Sequence, residues 1–231
     1  MPRTRAAVVL TSAGRLGDGR RAGYWLPEAA YPWLAMARAG WQVVAISTRE
    51  GQPEPGGVDK SDPVQRQFLA DDTVRASLVR TRRAEYYSAG DFSLVVYAGG
   101  GGALFDLAAD RMLTDFTGAV VAAGGMVAAC GHGVAGLLGV YAADGRGLLA
   151  GRAVTAAAPA EERLLALDGL LPFSLAGELQ RHGAAPSFGE PFKPRVVRDG
   201  PVLTGQNPAS APELARAIIS ATAGPLPAGA T

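Results

Sequence analysis

Cysteine and histidine are scarce in this chain: one Cys and two His among 231 residues. A lone thiol excludes an internal disulfide and a cysteine-rich zinc site. It fits a reducing compartment, so a cytoplasmic location is the expectation. An excess of either charge is also missing. Twenty-two basic residues face 21 acidic ones, a net charge of +1. That balance makes no electrostatic case for nucleic acid or a membrane surface as partner. Internal repeats are absent, and Met1-Pro2-Arg3-Thr4-Arg5 runs straight into an apolar segment without signal-peptide architecture. Charge itself is missing from residues 116–143, apart from His132. Such a length is enough to span a bilayer. Its seven glycines point instead to a buried strand followed by a tight turn.

That stretch is what the chain is organised around. Met126-Val127-Ala128-Ala129-Cys130 reads as a strand covered on both faces. Gly131 and Gly133 allow a sharp reversal, and Leu137, Leu138 and Val140 continue as an apolar helix. A strand–turn–helix of this kind holds one residue proud at the carboxyl end of a sheet, facing the bare N–H groups of the helix start. The only cysteine and one of the two histidines lie within three residues here.

Around it the pattern alternates strand and helix. Residues 6–12 and 41–47 read as strands flanking a helix over 26–39 that Gly40 stops, a βαβ unit. Trp25, Ala29, Trp33 and Met36 or Ala37 share one face of that helix. Residues 14–23 are a loop at the carboxyl end of the first strand, where open α/β sheets place ligands. Residues 50–63 are loop, 64–87 helical, 92–97 strand and 107–123 mostly helix. Further on, 148–155 reads as strand, 160–167 and 173–181 as helices, and 195–198 and 202–203 as strands around an Asp199-Gly200 turn. A last helix covers about 211–222. The fold class is therefore α/β: a doubly wound, mostly parallel sheet sandwiched by helices. One domain over 1–223 is expected, with about 50–90 a lid or cap insertion and 224–231 a disordered tail.

Several residues carry possible chemistry. Glu28 opens the first helix at the sheet's carboxyl edge. Desolvation there raises a carboxyl pKa toward neutrality, while a plain helix-dipole carboxylate is the simpler alternative. His132 is suited to proton transfer at neutral pH, or is a histidine packed at a helix start. The glycines 99–102 follow a strand, and their amides can form an oxyanion hole with those of Gly131 and Gly133. They are no dinucleotide fingerprint, and no cofactor or metal is expected. Cys130 lies near a helix start and a histidine, which activate thiols. One residue back along a strand also turns a side chain to the opposite face, as a small buried hydrophobe. Tyr24, Trp25, Tyr97 and Phe105 are candidate apolar lining.

Several segments resemble the DJ-1/PfpI superfamily, and within it the Hsp31-like, glyoxalase III-type branch. Ala129-Cys130-Gly131-His132-Gly133-Val134-Ala135-Gly136-Leu137-Leu138 is similar to the family's A-x-C-H-G-P-A-A-L-L, with Gly131 in the nucleophile's place. Gly23-Tyr24-Trp25-Leu26-Pro27-Glu28 resembles G-x-W-x-E-E, and Gly40-Trp41-Gln42-Val43 resembles A-G-Y-x-V. The stretch from Gly147 to Thr155 is similar to P-L-x-x-G-K-x-V-T, and Thr204-Gly205-Gln206-Asn207-Pro208-Ala209-Ser210 matches T-G-Q-N-P-A-S throughout. Ala98-Gly99-Gly100-Gly101-Gly102 stands where the family has P-G-G-H-G, so a histidine is gone and a wider pocket is expected.

The resemblance implies a flavodoxin-like, class I glutamine amidotransferase-like fold and a small-molecule substrate. It also implies a homodimer, a protonated Glu28, and His132 as general acid/base oriented by Glu162, with Glu161 the adjacent alternative. Three functions follow. The first is acid/base chemistry on a small carbonyl-like molecule (hydration, elimination or isomerisation) without the elbow thiol, where Gly131 leaves room for water or a larger substrate. The second is a glyoxalase III-like cysteine enzyme using Cys130. The third is a non-catalytic scaffold or small-molecule binder.

Overall fold

Apolar runs bounded by glycine and proline become short strands, and the amphipathic segments between them become covering helices. The computed structural model describes residues 4–167 and 169–222. The expected tail, 224–231, lies outside them. In chain order come β1 (Arg5–Leu10), β2 (Tyr24–Trp25), α1 (Leu26–Arg38), β3 (Gln42–Ser47), β4 (Pro55–Gly56), α2 (Pro63–Ala70), α3 (Asp72–Val79), β5 (Leu94–Tyr97) and α4 (Ala103–Asp106). Then follow α5 (Arg111–Ala122), β6 (Met126–Cys130), β7 (Ala153–Val154), α6 (Pro159–Leu164), α7 (Leu175–Arg181), β8 (Ala185–Pro186), β9 (Val196–Asp199), β10 (Val202–Gly205) and α8 (Ala211–Thr222).

The central sheet runs β3-β1-β5-β6-β10-β9, parallel throughout except β9, which pairs antiparallel with β10. Strand alternation divides two cores. Ala7 and Val9 join Val95, Val127 and the α5 residues Phe116 and Val120 on one face. Ala6, Val8 and Leu10 join Trp33 and Met36 of α1 and Leu214 and Ile218 of α8 on the other. Fully buried apolar strands covered by helices on both sides are what a parallel sheet requires. The doubly wound α/β expectation holds, with strand order and crossovers of the flavodoxin type.

Some local expectations change. The helical stretch 64–87 is two helices, because Asp71 ends α2 and caps α3 by accepting from Thr73 N and Val74 N. The proposed strand over 148–155 shrinks to β7, which pairs with β8 outside the main sheet. The helix after the elbow is a 3₁₀ helix over Gly131–Leu137, and Val140 lies beyond it. Glycines fill three of its seven positions and let it press on β5: a Cβ at Gly133 would stand 2.7 Å from Tyr97 O. Among the described residues no helix is long and apolar enough to cross a membrane. The uncharged stretch instead holds part of α5, buried β6 and the 3₁₀ turn.

Candidate active site

Three chain reversals meet at the carboxyl end of β5 and β6. Trp25 N donates to Gly99 O at 2.7 Å, docking the start of α1 onto the glycine loop after β5. Glu28 stands at the third position of α1 and is buried. Its Oε2 accepts from Gly99 N at 2.7 Å. Burial pushes the Glu28 carboxyl up to about 8, helped by the Glu161 carboxylate nearby, while the Gly99 N–H and the Cys130 thiol pull the other way. At neutral pH Glu28 is therefore chiefly a neutral acid, a hydrogen-bond donor.

Gly131 faces it. Its φ of +54° lies in the left-handed region that favours glycine. A Cβ there would sit 2.9 Å from Glu28 Oε1 and 3.1 Å from Oε2. The carboxyl thus reaches into part of the space a side chain at 131 would take, and the room expected above Gly131 is smaller than the sequence implied. His132, next along the 3₁₀ helix, is buried, and its Nε2 lies 2.9 Å from Glu162 Oε1 of α6. With the proton on Nε2 and directed at that carboxylate, the imidazole keeps its lone pair on Nδ1. The N–H groups that open a helix have no partner within it, and His132 N is one of these.

Glu28, His132 and Glu162 line one pocket of about 410 Å³ together with Gly100, Gly101 and Gly131. Trp25 forms part of the wall. A family model described as DJ-1/PfpI family matches residues 21–221.

The chain belongs to the DJ-1/PfpI family.

The glutathione-independent glyoxalase HSP31 of Saccharomyces cerevisiae is 28% identical over 211 residues, 84% of this chain and 86% of the yeast protein. The Rapid Encystment Protein 24 kDa of Francisella tularensis superposes with a TM-score of 0.89 at 26% identity, over 94% of this chain and 97% of that one. Glyoxalase III of Candida albicans superposes with a TM-score of 0.85 over 94% and 96%, at 23% identity, which speaks for the fold alone. Within the DJ-1/PfpI family the relatives point to the Hsp31-like branch.

The one thiol of this DJ-1/PfpI chain lies outside the pocket. Cys130 is fully buried in the core beside α1 and α8, outside the pocket lining. Its Sγ donates to Asn207 O at 3.3 Å. Burial first, then the Glu28 carboxyl, push this thiol well above its ordinary value. Strand alternation explains this: one residue before the elbow, the side chain points behind it.

Other candidates also move. The Gly99 N–H is spent on Glu28 rather than open to a ligand. Gly133 packs on β5, away from the lining. Tyr24 and Tyr97 are core, with Tyr97 Oη 2.7 Å from Thr117 Oγ1, and Phe105 lies on the surface away from the pocket. None of residues 50–90 lines the pocket. That segment braces it instead: β4 pairs with β2, and Gly57 packs against the Trp25 indole, which a Cβ there would strike. The pocket's cover comes from the 14–23 loop and the chain after α6. Nor does the missing histidine widen the site. A Cβ at Gly101 would meet Leu16 Cδ2 at 3.0 Å, so Leu16 fills that side.

Glu161 is the residue the sequence undervalued. It is buried, and its Oε1 accepts from Gln206 Nε2 at 2.9 Å, Asn207 Nδ2 at 2.7 Å and Phe192 N at 2.7 Å. The Gln206-Asn207 pair, visible as part of the T-G-Q-N-P-A-S segment, was the available signal. Its two amide donors need a buried acceptor. The adjacent carboxylates thus divide roles, Glu161 toward the β10 turn and Glu162 toward His132.

Proposed function

We propose that this protein is a cofactor-independent enzyme that isomerises a hydrated 2-oxoaldehyde to a 2-hydroxy acid by acid/base chemistry, without a covalent thiol step. One observation carries the reading: Glu28 and the His132–Glu162 pair line a single pocket from which Cys130 is excluded. The glyoxalase relatives supply the substrate class.

Water adds to the aldehyde to give a gem-diol, which takes the place of a thiol adduct. The His132 imidazole removes the hydrogen on the hydrated carbon as a proton. The electron pair moves to the neighbouring ketone oxygen, which takes a proton from Glu28. The proton on His132 then returns to the former ketone carbon. One diol O–H gives its proton back to Glu28 as the acid carbonyl forms. No atom is lost or gained after hydration. Glu162 holds the imidazole and offsets its charge during the step. The His132 N–H and the amides of Gly100 and Gly101 are at hand for the oxyanion.

A cysteine enzyme at Cys130 would require the thiol to leave the core and lose a proton that its surroundings retain. His132→Ala is expected to lower kcat/KM for methylglyoxal conversion to lactate by about 100-fold or more. Full turnover in that variant would refute the assignment.

A further inference from the structure

We propose that the substrate carries a flat apolar group larger than methyl beside its reacting carbonyl, selected by the walls above the elbow. This rests on the reading of Glu28 and His132 as the polar end of the site. The pocket holds about 410 Å³. A hydrated three-carbon oxoaldehyde has six non-hydrogen atoms, which at ~30 Å³ per water-sized group fill on the order of 180 Å³. More than half the space is left for a tail.

The lining says what kind of tail. Glu28, His132, Glu161 and Glu162 lie at the elbow end, and Arg20 and Arg21 of the 14–23 loop also line the pocket, with Arg20 donating to Ala166 O; Leu16, Trp25, Leu165, Leu167 and Phe192 supply apolar wall. Trp25 is held in place, because Gly56 and Gly57 pack against its ring: a Cβ at Gly56 would stand 3.1 Å from Cε3. A fixed indole beside an open apolar space favours a ring that stacks on it. Leu16, packed against Gly101, makes that side of the pocket hydrocarbon. An aryl 2-oxoaldehyde matches both ends; methylglyoxal matches only one.

The test is calorimetric titration of the wild-type protein with two acid products that undergo no turnover, lactate and mandelate. Mandelate is expected to bind at least about tenfold more tightly, the discrimination an apolar pocket gives for added hydrocarbon. Leu165→Ser, a change at a half-exposed wall position, is expected to narrow that ratio. Equal affinities, or a ratio unchanged in Leu165→Ser, would overturn the inference. Tighter mandelate binding without turnover of either aldehyde would support it and sink the reaction proposed above. Turnover of methylglyoxal with no preference for mandelate would do the reverse.

Discussion

A carboxyl group with no cation beside it, buried against a backbone N–H, is neutral because ionising it there costs more than protonating it. Glu28 is such a group, and its position makes the cost useful. In the reaction proposed above, its proton goes to an oxygen held over Gly131, where water alone would be a poor donor. The same shift ties stability to pH. The folded-state value of about 8 exceeds the ordinary 4.5, so the unfolded chain loses this proton first. The stabilisation is full below about 4.5 and is lost as pH rises through about 8, with a slope of at most about 1.4 kcal/mol per pH unit. Thermal unfolding of wild type should therefore decline across that window relative to Glu28→Gln; parallel profiles would contradict the burial argument. Gly131 is constrained by the same carboxyl. Gly131→Ala must accept a left-handed φ, at about 1–2 kcal/mol, and press its Cβ on the Glu28 oxygens. Denaturant unfolding should show a loss of at least that size, together with reduced turnover.

The elements explain which parts of this were readable in advance. Continuous apolar runs and a helix stopped by glycine fix β1, α1, β3, β5 and β6 from local chemistry alone. Glu28 and His132 were legible for the same reason: a helix start and an elbow turn both fall at the sheet's carboxyl edge. Where the sequence reading failed, long-range packing decided. Nothing local tells that residues 50–90 brace Trp25 from behind rather than cover the pocket, or that Leu16 comes back onto Gly101. The division of labour between Glu161 and Glu162 depends on β10 delivering Gln206 and Asn207 to one of them. That link is testable. Gln206→Ala removes one donor from a buried carboxylate and from Gly189 N one acceptor. A stability loss of roughly 1–3 kcal/mol is expected by chemical denaturation, with KM little changed. A loss indistinguishable from zero would mean that solvent reaches Glu161.

Taken whole, the molecule has the sheet of a DJ-1/PfpI chain, gathers Glu28, His132 and Glu162 at one pocket, and keeps its one thiol buried outside that pocket's lining. A second groove, about 400 Å³ and lined by Arg49, Arg83 and Asp106 among others, opens beyond β1 and β3. Both its carboxylates are occupied: Thr11, Thr48 and the amides of Ser12 and Ala13 donate to Asp106, and Asp110 caps α5 by accepting from Leu113 N. The reaction proposed above is placed at the pocket beside Gly131, and it proceeds there without sulfur. The most direct test is kcat/KM of Cys130→Ala for conversion of a 2-oxoaldehyde to its 2-hydroxy acid, measured beside wild type. Turnover is expected to stay within about tenfold of wild type, since Cys130 supplies core packing, one hydrogen bond to Asn207 O and a minor influence on the Glu28 carboxyl. Loss of turnover in a Cys130→Ala protein that still folds would contradict it.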